Sequence, residues 1–481
     1  MTSSFIGTAT QVAKGKLTAQ FLGAEGMGVY NQISLCFTLV LTICILGFPN
    51  GITRAISVEH EAGRHDEFAV QLSSPFVFLG LLSLIVSGLG VLFSAQISHL
   101  LFVDGGERAN LTALVLVGVP LAVIGYIYRA LLNGTRSVRA LVRARITADL
   151  VSVMVFAGLL IPFGITGAVL GFVSLQAIYL ALISFGAWRD LGPLSIPRIS
   201  AFRWIAIRQN VGYGLHGLVV AAAGSLTILI LSRWIIADRG LADSGLFNVS
   251  YKIATVYLAG VYAAASGYYY ASVARARNNV AVAKEIDNAI MVYMSLIPPL
   301  VAALMAGGDV ILQVLFSKEF VPAAILLLIL LPADIFRLVA EVIGQALVAK
   351  RKLAVSIALY LSWIGIYMGA SYYFIEDYGI VGVAIAYLIG QLSLCVLMLA
   401  AGKRVLSFAP SARSWRFITR GVLLAFGCAI ATFSIEVVPL KIVAGAALVA
   451  IWFGISCLEE DFRRQFDKAI HALKGRLGLD T

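Results

Sequence analysis

The segment Thr8–Arg54, TATQVAKGKLTAQFLGAEGMGVYNQISLCFTLVLTICILGFPNGITR, decides how the whole chain folds. It contains two stretches that are long and apolar enough to cross a lipid bilayer, and the first of them carries Lys14 and Lys16. A lysine at the centre of a bilayer costs roughly 2.5–3.5 kcal/mol on insertion scales, so such a residue usually marks a function. We therefore interpret the rest of the chain as a scaffold that gives these charges a water-filled cavity.

The composition of the chain is that of a membrane protein. Of its 481 residues, 60% are hydrophobic and only 13% are charged, and the mean hydropathy is +0.93. Soluble proteins of this size do not have such a composition, which predicts an all-α polytopic membrane protein. The net charge of +11 does not indicate nucleic acid, because the basic residues lie in short loops between apolar segments.

The five cysteines lie in or beside apolar segments, without the spacing of a metal site, so we expect no disulfide and no zinc. Residues 1–21 lack the basic start of a cleavable signal peptide. The sequence also lacks a Walker motif, so we expect neither ATP nor another cofactor. A proton or sodium gradient is the expected energy source.

Fourteen segments are apolar over the roughly 20 residues that a membrane-spanning helix needs. We predict spans at 2–22, 28–52, 70–98, 110–133, 146–163, 167–188, 210–236, 244–272, 288–316, 323–349, 353–375, 380–402, 417–436 and 441–458. Lysine and arginine are concentrated in alternate loops, and the positive-inside rule then places both termini in the cytoplasm.

The sequence also repeats itself weakly. GVYN at 28–31 returns as GLFN at 245–248, ITGA at 165–168 returns as IVGV at 380–383, and LLNGTR at 131–136 aligns with ALVAKR at 346–351. An offset of six spans predicts two parallel six-helix repeats, a design in which the substrate site lies between two halves that rock against each other. The predicted parts are an N-lobe at 1–208 (spans 1–6), a C-lobe at 209–416 (spans 7–12), spans 13–14 at 417–458 and a cytoplasmic amphipathic tail at 459–481.

The two motifs FLGAEGMGVYNQ (21–32) and LGFPNGITRAISVE (46–59) resemble the opening of Wzx-type polysaccharide flippases. These proteins belong to the multidrug/oligosaccharidyl-lipid/polysaccharide exporter superfamily. The resemblance implies a protein of the bacterial inner membrane that flips an undecaprenyl-pyrophosphate-linked oligosaccharide, an O-antigen or exopolysaccharide unit, to the outer leaflet. Membrane lipids and other glycan-assembly membrane proteins are then the expected partners, and a single chain that holds both halves is expected to be a monomer. The lipid II flippase branch also has fourteen spans, but its arginine-rich opening is absent here.

Span one carries a polar stripe on one helical face: Ser3, Gly7, Thr10, Gln11, Lys14 and Thr18. Lys14 is therefore predicted to face a cavity that binds the pyrophosphate. Lys16 lies about 200° further round a regular helix, so it shares that face only if Gly15 loosens the helix; otherwise it extends to the outer interface.

Span ten carries Asp334, Arg337, Glu341 and Gln345 at offsets of +3, +7 and +11, again on one face. One interpretation is a ladder of ion pairs that neutralises itself. The other is a cation for the pyrophosphate beside carboxylates, Asp334 and Glu341, that take up a proton or a sodium ion. The two interpretations are compatible, because protonation of a carboxylate would release Arg337.

The remaining candidates lie outside these two polar stripes. Lys252, Arg54 and Arg129 are further candidate cations for the pyrophosphate, although Arg54 and Arg129 lie at span ends where side chains commonly reach lipid headgroups. Asp149 is a third candidate for ion coupling and is expected to pair with Arg145, one turn before it. The candidates for sugar contact are Tyr30, Asn31, Asn248, Tyr257 and Tyr262.

Two other classes of function compete with a flippase. An exporter of small amphipathic cations should have an acidic cavity, whereas the candidates here are mostly basic. A membrane glycan polymerase or ligase needs catalytic groups in sizeable extracytoplasmic loops, and the predicted loops are too short. We therefore predict a transporter and not an enzyme.

Overall fold

The computed structural model describes residues 2–103, 106–257 and 269–457, and this part of the chain is helical and contains no strand. In chain order the helices are α1 (Thr2–Ile45), α2 (Phe48–Glu61), α3 (His65–Leu92), α4 (Ser94–Phe102), α5 (Ala109–Gly134), α6 (Val138–Leu191), α7 (Trp204–Arg239), α8 (Leu241–Lys252), α9 (Asn279–Ala306), α10 (Gly308–Leu315), α11 (Ala324–Ala349), α12 (Leu353–Leu406), α13 (Ala412–Ser434) and α14 (Val438–Cys457). The predicted fold class, an all-α polytopic membrane protein, is confirmed.

Three of the helices are too long to cross a membrane only once. Helix α1 has 44 residues, and α6 and α12 have 54 each. At 1.5 Å per residue, a straight helix of that length would run about 65–80 Å, against a hydrocarbon core of about 30 Å. Each is broken by one glycine with positive φ: Gly23, Gly164 and Gly379.

The helix reverses at Gly164 and Gly379. Beyond Gly164 the chain returns along its own first segment, so that Gly171 lies against Phe156, and beyond Gly379 the residue Gly382 lies against the carbonyl of Phe374. The φ and ψ angles are 54° and −132° at Gly164 and 56° and −136° at Gly379. Only glycine adopts this region readily, so one residue suffices as the whole turn.

The described residues contain ten helices that are long and apolar enough to span a membrane. Because α1, α6 and α12 each supply two crossings, these ten helices account for thirteen of the predicted spans. The remaining predicted span, 244–272, begins in α8 and continues through a π-helical turn at Ile253–Tyr257, but residues 258–268 lie outside the described part. The predicted tail helix at 459–481 also lies outside it.

The predicted repeat is visible in the lengths of the helices. Helices α3 and α9 both have 28 residues, α5 and α11 both have 26, and α6 and α12 both have 54. Gly379 follows Gly164 by 215 residues, and the same offset separates Arg136 and Arg351, two residues with φ of 57° and 58° in the turns after α5 and α11. The described helices thus match in pairs, as the two predicted six-span repeats require, and α13 and α14 follow them.

Several boundaries differ from the predicted spans. The second span ends at Ile45 rather than at 52, because Leu46 and Gly47 adopt positive φ and a separate helix, α2, begins with Pro49 in its first turn. Proline is favoured in the first turn because the backbone N–H groups of that turn have no acceptor within the helix, so the lack of an N–H loses no hydrogen bond. The third and ninth predicted spans likewise divide into two helices each, α3 with α4 and α9 with α10.

Contacts divide the chain into two compact units. Unit 1 consists of Met1–Asn248 and Leu315–Ser317, and unit 2 consists of Val249–Val314 and Lys318–Thr481. Unit 1 has a core of buried aliphatic and aromatic side chains from α1, α2, α3 and α5, whereas α9 and α11 supply much of the core of unit 2. The boundary between the two units lies after Asn248, whereas the sequence repeat predicted a boundary between the lobes at 208/209. The division into these lobes therefore stays a prediction.

Helices α13 and α14 pack on α9 in unit 2. Gly421 of α13 lies against Pro298, and Gly445 of α14 lies against Ala306. The ammonium of Lys441 lies 2.7 Å from Asp309 Oδ2, and both side chains are mostly buried. These contacts fix the two C-terminal helices to the second repeat.

Candidate functional site

The polar stripe of α1 packs against a polar stripe on the first segment of α6, both in unit 1. Lys14 is only 9% exposed, and its ammonium donates a 2.7 Å hydrogen bond to Ser152 Oγ. The Ser152 hydroxyl in turn donates to the backbone oxygen of Asp149 at 2.8 Å. Lys14 is therefore held in the interior of unit 1 by groups on α6.

The predicted pair of Asp149 and Arg145 is confirmed. Arg145 Nε lies 2.8 Å from Asp149 Oδ2, with 41% of the arginine side chain exposed and only 4% of the aspartate. Helix α1 lies directly on this pair, because a Cβ at Gly7 would be 3.2 Å from Oδ2. The buried carboxylate thus has a cation on its own helix and a second cation, Lys14, which is bonded to Ser152 one turn further along α6.

A pocket of about 290 Å³ opens beside the ion pair. It is lined by Gly7, Thr8, Gln11, Arg129, Leu141, Val142, Arg145 and Tyr179. Both arginines are braced by aromatic rings, with the Arg129 guanidinium 5.9 Å from the ring centroid of Tyr126 and that of Arg145 5.7 Å from Tyr179. Two guanidinium groups at one pocket form a binding site suited to phosphate oxygens.

Lys16 and Arg54 lie elsewhere in unit 1. Helix α1 is regular through Gly15, since its break is at Gly23, so the first of the two alternatives for Lys16, a helix loosened at Gly15, does not hold. Lys16 therefore lies on a different face of α1 from Lys14 and is half-buried there. Arg54 lies on the exposed side of α2.

The predicted sugar contacts occupy different surroundings. Tyr30 packs edge-on against Phe156 at 5.9 Å between ring centroids, and Asn31 is buried. Asn248 is also buried, and its amide donates to Ser232 Oγ at 2.7 Å and to the Ser244 carbonyl at 2.9 Å. Nothing is described for the side chain of Tyr257, and Tyr262 lies outside the described residues.

Unit 2 contains a second charged cluster, on α11. Arg337 Nε lies 2.7 Å from Asp334 Oδ1, which also accepts a 3.0 Å hydrogen bond from the hydroxyl of Tyr387 on α12. Glu341 lies one turn further along and accepts a hydrogen bond from Tyr360. The Asp334–Arg337 pair of the predicted ladder is therefore formed, and tyrosines of α12 bind the carboxylates of Asp334 and Glu341.

Aromatic rings enclose the Asp334 end of this cluster. The ring of Tyr387 packs edge-on against Tyr251 at 5.7 Å and against Tyr367 at 5.5 Å between centroids. Asp334 is fully buried, and its second oxygen, Oδ2, accepts no hydrogen bond from the described residues. Lys252, next to Tyr251 at the end of α8, is half-buried.

Sequence reasoning missed three partners in these clusters. Ser152 follows Asp149 by three residues on the same face of α6, so a search for a second polar stripe would have found it. Tyr360 and Tyr387 lie on α12, far along the chain from the acids they bind, and no local pattern marks them.

The comparisons with known proteins agree with this architecture. A family model described as "Polysaccharide biosynthesis protein" matches residues 16–270, more than half of the chain. The chain is 21% identical to the "Putative O-antigen transporter" of Shigella flexneri over 385 residues, which are 77% of this chain and 88% of that protein. It is 25% identical to stage V sporulation protein B of Bacillus subtilis (strain 168) over 179 residues, 34% of each chain.

Solved structures show the same fold. The lipid II flippase MurJ in an inward closed conformation superposes with a TM-score of 0.71 at 15% identity, covering 95% of this chain and 98% of that one. An inward-facing multidrug resistance MATE family transporter of the MOP superfamily gives 0.69 at 17% identity, covering 83% and 94%. The chain therefore belongs to the polysaccharide biosynthesis protein family, is a multi-pass membrane protein, and shares its fold with these solved structures.

Proposed function

We propose that this protein flips undecaprenyl-pyrophosphate-linked oligosaccharide units from the cytoplasmic to the outer leaflet of the bacterial inner membrane. The two halves of the repeat alternate in exposing the substrate path, and a proton or sodium gradient drives the cycle. Both termini lie in the cytoplasm, where the basic loops concentrate. The chain works as a monomer beside other membrane proteins of glycan assembly.

The observation that carries this proposal is the pocket of Arg129 and Arg145 with Lys14 buried close behind it. Guanidinium groups bind phosphate oxygens in pairs, and the three cations at this place face one carboxylate, which leaves a net positive charge for an anionic ligand. A pyrophosphate is the charged part of the proposed substrate, and it would need such partners because it loses its water shell on the way across.

The α11 cluster supports coupling to an ion gradient. Asp334 Oδ2 is a buried acceptor that no hydrogen bond from the described residues satisfies, so it is suited to receive a proton or a sodium ion. Neutralising Asp334 would weaken its hold on Arg337, which then becomes available to an anion. Glu341, held by Tyr360, is the second carboxylate that an incoming ion could neutralise.

The alternatives within the superfamily predict different sites. An exporter of amphipathic cations needs acceptors for positive charge, whereas the described pocket of unit 1 presents two arginines. A lipid II flippase shares the pyrophosphate but requires a peptide-bearing glycan. The similarity to the Shigella flexneri transporter, which covers most of both chains, favours an oligosaccharide without the peptide.

Complementation tests the proposal. A strain that lacks its own O-unit flippase receives the wild type, Lys14→Ala, Arg337→Ala and the control Arg136→Ala, whose side chain is 80% exposed. Surface glycan and membrane abundance are measured together. We expect the two interior variants to lose glycan at normal abundance while the control keeps it. Full glycan from both interior variants would contradict the proposal, and an efflux assay with cationic dyes would then examine the multidrug alternative.

A further inference from the structure

We propose that Asp149 is an exchangeable counter-ion in unit 1: it holds Arg145 before the substrate binds and transfers to Lys14 when a diphosphate takes Arg145. This inference rests on the proposed function and specifies how the same pocket responds to its ligand. It assigns Asp149 as a positioning residue and links occupancy of the pocket to the interface between α1 and α6.

The charges at this place match a diphosphate diester. The pocket and the groups bonded behind it contain three cations, Lys14, Arg129 and Arg145, and one carboxylate, Asp149, among the described residues. The formal sum is therefore two positive charges. A pyrophosphate esterified at both ends, as in a lipid-linked sugar, carries two negative charges, so its arrival neutralises the site.

The ion pair is asymmetric in a way that leaves Arg145 ready for a ligand. The guanidinium borders the pocket with 41% of the side chain exposed, whereas Asp149 is 4% exposed and lies behind it. Asp149 engages Nε, and bidentate binding of a phosphate uses two guanidinium N–H groups. A diphosphate can therefore dock on the pocket side of Arg145, and it competes with Asp149 by drawing the guanidinium toward the pocket.

Lys14 is the cation that can receive the released carboxylate. Its ammonium bonds Ser152 Oγ, and Ser152 bonds the backbone oxygen of Asp149, so the two side chains approach the same turn of α6. Gly7 also brings α1 close to the carboxylate, since a Cβ there would be 3.2 Å from Oδ2. The exchange therefore takes place within the interface between α1 and α6.

The exchange also avoids an unpaired buried charge. Removing one partner of a buried pair is strongly unfavourable because the other is left without compensation. If a diphosphate took Arg145 and nothing replaced it, Asp149 would be left in that state. Transfer to Lys14 gives Asp149 a new partner and gives Lys14 a carboxylate. The contact between α1 and α6 is then stronger when the pocket is occupied than when it is empty.

A double-mutant cycle on the purified full-length protein in nanodiscs tests the exchange. The probe is farnesyl methyl diphosphate, a diester with two negative charges, with farnesol as the uncharged comparison, and the measurement is the dissociation constant. Asp149→Asn removes the competitor and is expected to bind the probe about tenfold more tightly, whereas Lys14→Met leaves Asp149 without a second partner and is expected to bind about tenfold more weakly. In the Asp149→Asn background, Lys14→Met should have little further effect, since there is no carboxylate left to transfer.

Three outcomes would overturn the exchange: no binding of farnesyl methyl diphosphate to the wild type, no tightening in Asp149→Asn, or equal weakening by Lys14→Met in both backgrounds. The last result would mean that Lys14 touches the ligand directly. Arg136→Gln serves as the control outside the pocket, and melting curves verify that each variant is folded. The double-mutant cycle could give the expected dissociation constants while the wild type fails to restore surface glycan. That result would support the exchange but contradict the oligosaccharide as substrate.

Discussion

Gly28 and Gly245, which occupy equivalent positions in the two repeats, pack backbone to backbone. The carbonyl of Leu241, four residues before Gly245, lies against Gly28, and the carbonyl of Ala24, four residues before Gly28, lies against Gly245. The contact is therefore reciprocal, as expected where a two-fold relationship between repeats passes through a pair of helices. Small residues at such crossings let membrane helices approach closely without a hydrophobic driving force.

We expect Gly28→Ala to lower the stability of the protein. A Cβ there meets the backbone of Leu241, which cannot rotate away as a side chain would, so overpacking of about 1–3 kcal/mol should result. The matched control is Gly224→Ala in α7, where a Cβ meets nothing within 4 Å. Melting temperatures in micelles are the measurement, and equal values for the two variants would contradict the close crossing.

The bond between Tyr387 and Asp334 makes a second prediction. Tyr387→Phe removes a hydrogen bond to a charged group and should cost about 1.5–3 kcal/mol of unfolding free energy. Asp334→Ala should cost more, about 3–5 kcal/mol, because it also leaves Arg337 without its nearest carboxylate. In the Asp334→Ala background Tyr387→Phe should lose most of its effect, and additive losses measured by denaturant unfolding would show that the two residues are not coupled.

The pair of Lys441 and Asp309 should determine how firmly α14 is attached. Lys441→Met is expected to lower the melting temperature, because Asp309 remains mostly buried without its partner. The swap Asp309→Lys with Lys441→Asp should recover part of the loss. Full recovery is not expected, since Asp309 lies in the first turn of α10, where a negative charge is favoured by roughly 0.3–1 kcal/mol. If the double variant with exchanged charges melts at a lower temperature than Lys441→Met, the ion pair contributes nothing to stability.

The turn at Arg351 offers a stabilising change. Its φ of 58° is unfavourable for a residue with a side chain, by about 1–2 kcal/mol. Glycine removes this strain, although it also raises the conformational entropy of the unfolded chain, which offsets part of the gain. Arg351→Gly should therefore raise the melting temperature. Arg136→Gly should gain less, because Arg136 also pairs with Glu61 at 2.6 Å. A lower melting temperature for Arg351→Gly would indicate that its side chain stabilises the turn.

Local patterns in the sequence predicted much of this structure. The lengths of the apolar segments identified the spans, and the short similar motifs indicated the repeat, because both signals lie in consecutive residues of the sequence. The pairs Arg145–Asp149 and Arg337–Asp334 were accessible for the same reason, since residues three or four apart meet on a helix.

Contacts between distant segments could not be predicted in the same way. The partner of Lys14, Ser152, is 138 residues away, and the position of Tyr387 against Asp334 depends on how α11 and α12 pack. The break in α1 was equally inaccessible: residues 15–28 contain four glycines, and only the packing of the folded chain selects Gly23.

The single-glycine turns at Gly23, Gly164, Gly240 and Gly379 make the chain intolerant of changes in length. Each joins two helices with no spare residue, so one inserted amino acid would rotate the whole following helix by about 100° and exchange its lipid-facing and interior sides. Insertions and deletions should therefore be absent from these four places in functional variants of this protein. A reporter or epitope tag belongs instead in a connection such as 192–203, where the chain is not part of a long helix and added length changes no helical register.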